Sequence, residues 1–103
     1  MKLSEVKGER TLDVLGDVIG PVFDIVADKK MQEEFAAYKD DSGKLARNLI
    51  PYLLKQHRAE IIQILSAIEG TTTEEYESGL TLAKLLKDVY EVFTDEELLA
   101  FLS

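Results

Sequence analysis

The stretch KLARNLIPYLLKQHRAEIIQILSAIEG, residues 44–70, decides the fold. Leu45, Leu49, Ile50, Leu53 and Leu54 recur at steps of three and four, and the rhythm resumes at Ile61, Ile62, Leu65 and Ile68. At about 3.6 residues per turn these positions stack into an apolar stripe, while Arg47, Lys55, Arg58 and Gln63 fall largely elsewhere. Gly70 follows the last periodic residue, where a glycine takes the left-handed conformation without steric cost. Pro51 interrupts the run. Inside a helix it removes an amide donor and crowds a carbonyl one turn back, at a cost of roughly 3 kcal/mol. The expectation is a break, with residues 48–51 as a short connection and Pro51 opening the next helix. One helix kinked at Pro51 is the alternative.

Outward from this centre, the chain reads as helix in both directions. Towards the N-terminus, Leu12, Leu15, Ile19, Val22 and Val26 mark one helical face, which Val14, Val18 and Ile25 widen. Glu9, Asp13 and Asp17 stand four apart on the other side, and Glu9 and Asp13 suit the positive end of a helix. Gly20 and Pro21 punctuate it, predicting either a helix that ends near Ile19 with a second over 21–27, or one kinked helix. Residues 1–8 form a lead-in, with Ser4 placed to cap a turn. Met31, Phe35 and Tyr38 give residues 29–39 a short amphipathic helix. A loop follows near 39–43, with Ser42 as the cap of the next helix. It lacks the alternating acids and distal glutamate of a calcium loop.

Towards the C-terminus, Thr72 and Glu75 have the spacing of a capping box, and Ser78-Gly79 closes a short helix. Leu82, Leu85, Leu86, Val89 and Phe93 predict an amphipathic helix with Lys84, Lys87, Asp88 and Glu91 on its polar side. Residues 94–97 repeat the capping-box spacing before a last helix at about 95–102. The chain is therefore expected to be all-α, a single compact domain over 1–103 of about six or seven short-to-medium helices. The C-terminal Leu98, Leu99, Phe101 and Leu102 crowd large apolar groups where chains usually fray. Either they dock on the core or they form an exposed patch for a partner.

Composition narrows the function. The 103 residues carry a net charge of −8 and no cysteine, so neither a disulfide framework nor a thiolate metal site is available. No apolar run approaches the ~20 residues of a membrane span, and no signal-peptide core opens the chain. Charge is unevenly spread. Residues 39–58 hold five basic groups against two acids, and residues 69–103 hold two lysines against nine acids. An acidic chain with so small a basic segment is a poor binder of nucleic acid, which needs a basic face to neutralise phosphates. A basic centre and an acidic end suit head-to-tail contact between copies, with Lys44, Arg47, Lys55 and Arg58 as the candidate self-association residues.

No catalytic arrangement stands out. His57 is the single imidazole; it lies three residues from Glu60, but a metal site needs three or four ligands. There is no glycine-rich phosphate loop and no nucleophile–base order. Neither an enzyme nor a cofactor is expected.

Three segments together carry a family likeness: KLSEVKGERTLDVLGDVIGPV (2–22), LIPYLLKQHRAEIIQILSAIEG (49–70) and TTEEYESGLTLAKLLKDVYEVFTDEELLAFL (72–102). In order and pattern they resemble tail assembly chaperones of siphophages and prophages of Gram-positive bacteria. Residues 28–43 have no part in the likeness, and no invariant motif supports it. The resemblance implies a non-enzymatic protein of the bacterial cytoplasm, absent from the mature virion. Such a protein coats the helical tape measure protein and recruits tail-tube subunits. It also implies, for many members, a longer form made by ribosomal frameshifting near the end of the gene. The competing readings are an acidic nucleic-acid mimic that blocks a basic protein, and a small structural virion protein.

Overall fold

The computed structural model describes the backbone of residues 1–102 and the side chains of residues 1–100. After a 3-10 turn at Leu3–Glu5, the chain forms α1 (Glu9–Val26), α2 (Lys29–Tyr38), α3 (Ser42–Gln56), α4 (Arg58–Glu69), α5 (Thr73–Ser78), α6 (Leu82–Phe93) and α7 (Glu96–Leu102). No strand occurs among the described residues. The radius of gyration is 13.0 Å, the value of one folded body of about 100 residues.

The central stretch does divide into two helices, but at His57 and not at Pro51. α3 runs through Pro51, and α1 likewise runs through Pro21. Tertiary packing on both sides of each proline outweighs the one lost hydrogen bond: Leu49 and Leu53 flank Pro51 in the core, and Pro21 is itself buried between Val14 and Ile25. At His57 the backbone leaves helical geometry (φ −128°, ψ 36°), and its side chain reaches Asp28 at the start of α2.

Most helix ends follow from capping chemistry. Asp28 accepts from the Lys30 and Met31 amides to start α2. Asp41, and not Ser42, caps α3 by accepting from the Lys44 amide. The Thr72–Glu75 capping box is complete in both directions, and Thr81 opens α6. Each such cap is worth about 1 kcal/mol. Asp95 accepts from the Glu97 and Leu98 amides at the start of α7. Gly70 ends α4 with φ 85°, as its position predicts.

α4 is the spine. Ile61, Ile64, Leu65 and Ile68 are buried along it, each contributing roughly 1.5–3 kcal/mol by leaving water. α1 packs most extensively against α4, and α2 against α3, while α3 and α6 close the remaining sides. The Arg10 guanidinium donates to the Ile68 carbonyl, pinning the start of α1 to the end of α4.

Two helices are rolled away from the faces that their periodicity predicts. α1 buries Val14, Pro21 and Ile25, with Val18 and Val22 partly covered, while Leu12, Leu15, Ile19 and Phe23 face solvent. At about 100° per residue this is a roll of roughly 100°. α6 buries Val89, Val92 and the expected polar-face residue Asp88, and exposes Leu82, Leu86 and Tyr90. The cause in α6 is a buried polar cluster. Asp88 accepts from the Tyr76 hydroxyl at 2.7 Å and from Lys84 Nζ at 3.0 Å, and the N-terminal amine lies 3.6 Å from its second oxygen. A carboxylate is buried where its charge and lone pairs are met, and turning Asp88 inward for Tyr76 turns Leu82 and Leu86 out.

Candidate functional site

Polar chemistry concentrates at two places, and both act as joints. In the first, Asp28 Oδ2 accepts from the Tyr52 hydroxyl and lies against His57 Nε2, each at 2.7 Å. Its other oxygen caps α2. One carboxylate thus ties α2 to α3 and to the α3–α4 junction. His57 Nδ1 is buried without a hydrogen-bond partner, 3.8 Å from Glu60 Oε1. An acid–base pair of the hydrolytic kind needs the second ring nitrogen on a nucleophile; here it faces a second carboxylate. No group of three His, Asp or Glu side chains among the described residues is placed to hold a metal ion.

Hydrogen bonds from Tyr52 and His57 hold the Asp28 carboxyl down at about 2, against 3.8 for a free aspartate. A folded pKa below the unfolded one means that this contribution to stability is complete above about pH 4 and is lost as pH falls towards about 2. Asp28→Asn is therefore expected to lower the Tm at neutral pH and to flatten its decline between about pH 4 and 2. Thermal melts across that range measure it; an acid limb parallel to wild type would mean that the carboxylate is not held by this cluster.

The second joint is the Asp88 cluster. Burial pushes the Asp88 carboxyl up, but the Tyr76 hydroxyl and Lys84 outweigh it, and the net shift is downward. Burial and then Asp88 itself push the Tyr76 phenol upward, so it remains a donor. Lys84 is shared with Glu69 of α4, and the N-terminal amine with Glu91 at 2.9 Å. Every member is committed to another member.

Away from these joints, two helices carry exposed apolar stripes. On α1, Leu12 is 73% exposed and Phe23 55%, with Leu15 and Ile19 between them; on α6, Leu82 is 76% exposed, followed by Leu86 and Tyr90. Single exposed leucines are ordinary on a protein surface; here several line up on one helix and form a continuous apolar stripe. Glu9, Asp13, Asp17 and Asp24, all exposed, run beside the α1 stripe.

The chain matches no family model, no curated protein and no solved structure. The site is accordingly read from its own geometry. Leu98 and Leu99 are half-buried against the core, and with Val18, Val22, Phe35 and Leu49 they line an apolar cavity of about 120 Å³ beneath α7. The side chains of Phe101 and Leu102 lie outside the described residues. Lys44, Arg47 and Lys55 are exposed along α3, and Arg58 is exposed at the start of α4. The four basic residues thus sit on two consecutive helices, away from the α1 stripe in sequence. The α1 stripe itself was readable as apolar, but its periodicity alone assigns it to the core. The available signal was its width, since Phe23 extends the apolar face beyond what Val14, Val18 and Ile25 need.

Proposed function

We propose that this protein is a non-enzymatic, client-binding helical protein of the tail assembly chaperone kind. It binds the tape measure protein of a phage or prophage tail and assists tail-tube subunits in assembling on it. The observation that carries the reading is the α1 stripe, four large apolar side chains held outward on one rigid helix. A chaperone for an apolar helical client needs such a face, and the net charge of −8 keeps the complex in solution. The polar clusters support the same reading, because each is spent on joining helices. The order of segments resembles that family along most of the chain.

The test is co-expression with the tape measure protein from the same tail gene cluster, followed by size exclusion with light scattering. The expected result is a client that is soluble only with this chain and co-elutes with many copies of it. A client that precipitates regardless, beside a monomeric chain, would remove the chaperone reading and favour an acidic inhibitor of a basic protein. Finding the protein in purified mature virions would favour a structural role instead.

A further inference from the structure

α1 has more apolar surface than one interface uses. Its apolar side chains span roughly 200° of the helix circumference, from Pro21 round to Phe23, at about 100° per residue. A stripe of about 100° serves a helix that packs on a single core. One half, centred on Val14, Pro21 and Ile25, is buried. The other half, Leu12 to Phe23, faces outward over about 17 Å, or three turns. Gly16 and Gly20 run along the edge of that half, and a Cβ at either would meet nothing within 4 Å. Beyond the glycines stand the exposed carboxylates of Asp13, Asp17 and Asp24, with exposed Glu9 in line with the glycines at the start of the helix. The result is a shallow groove with a glycine floor, one apolar wall and one acidic wall.

We infer that this groove binds a helix of a partner protein, apolar along one face and bordered by lysine or arginine on the side that meets the acids. The inference rests on the client-binding reading above and specifies the surface and the chemistry of the client. A helix is the occupant because side-chain-free glycines let a second helix backbone approach closely, and the described residues offer no strand edge to extend. The border must be cationic because the acidic wall needs a complement. A second copy of this chain does not supply one. Paired antiparallel through the same face, two copies set acid row against acid row; paired in parallel, each sets its acids against the other's apolar wall. The first arrangement is repulsive and the second desolvates carboxylates against apolar side chains, and a net charge of −8 on each copy opposes both. Elsewhere on the chain, the basic residues of α3 stand on a helix whose Leu45, Leu49 and Leu53 are already buried. The exposed stripe of α6 brings only Lys87 as an exposed cation against four acids.

The test uses the full chain and two synthetic amphipathic peptides matching the 18 residues of α1 in length. Both carry the same leucine face; one is bordered by lysine and the other by glutamate. Fluorescence anisotropy measures affinity, and amide shifts of labelled protein locate the contact. The expected result is binding of the lysine peptide at least about tenfold tighter than the glutamate peptide, weakening with salt, with shifts along α1. Ile19→Asp, at an exposed position, is expected to weaken it by about tenfold or more, and Asp13→Lys with Asp17→Lys to reverse the preference between peptides. Equal binding of the two peptides, indifferent to these variants, would overturn the inference. So would light scattering that shows a dimer of the free chain dissociated by Ile19→Asp, since a second copy would then occupy the groove. The two readings separate cleanly. A tape measure protein solubilised equally by wild type and Ile19→Asp removes the groove and keeps the chaperone. Charge-selective peptide binding without client solubilisation does the reverse.

Discussion

Leu65→Ala is expected to lower the unfolding free energy by about 3–4 kcal/mol. Leu65 is wholly buried on α4, the helix against which α1, α3, α5 and α6 all pack. Losing its branched methyls removes transfer energy and leaves a void in the spine, where no neighbour can collapse without moving a second interface. Against the roughly 5–15 kcal/mol of a domain this size, the loss is a large share, equivalent to a Tm lower by about 15–25 °C. Leu12→Ala is the matched control. The same atoms are removed at a position that is 73% exposed, so the change should stay within about 0.5 kcal/mol. Urea unfolding of both variants measures the contrast. Equal losses would mean that α1 is rolled with Leu12 inward, as its periodicity alone predicts.

Asp88→Ala is expected to cost about 2–3 kcal/mol, the second large effect. The substitution strands the buried Tyr76 hydroxyl and strips one carboxylate from both Lys84 and the N-terminal amine. Breaking a buried pair typically costs more, about 3–5 kcal/mol. Here Lys84 keeps Glu69 and the amine keeps Glu91, which holds the loss below that range. Asp88→Asn retains an acceptor for Tyr76 and should lose about half as much. Because the Asp88 carboxyl is held below its ordinary range, the wild-type advantage over the alanine variant is full above about pH 4 and shrinks as pH falls further. Denaturation of the three proteins at neutral and acid pH tests both magnitude and sign. An alanine variant as stable as wild type would mean that burying Asp88 is not what fixes the roll of α6.

The contrast between those sites explains what the sequence made legible. Helix existence and type were readable, because Leu45 to Leu54 and Ile61 to Ile68 repeat at the helical period and Thr72 with Glu75 forms a local cap. Both depend on neighbours three or four residues apart. Helix roll was not readable, because it is set by distant partners. Asp88 turns inward for Tyr76 of another helix, and Arg10 turns α1 towards a carbonyl at the end of α4. The break expected at Pro51 does not occur, and of the two readings left open at Pro21 the single helix holds, for the same reason: burial on both sides of each proline outweighs a local penalty. In the sequence His57 is only a lone imidazole three residues from Glu60. That it marks the true junction depends on Asp28, 29 residues away.

The same logic moved the candidate site. Clustering near the C-terminus points to Leu98 and Leu99, yet both are half-buried over the cavity. The large exposed side chains lie instead on α1 and α6, where roll has turned an expected core face outward. On the proposed function, that outward face of α1 is where the client would bind.

The decisive measurement is the soluble yield of the tape measure protein co-expressed with wild type and, in parallel, with Ile19→Asp. Circular dichroism would verify that the variant keeps its helices. Abundant soluble client is expected with wild type and a loss of most of it with Ile19→Asp, at equal levels of the two proteins. Undiminished soluble client with the variant would contradict the assignment of client binding to α1.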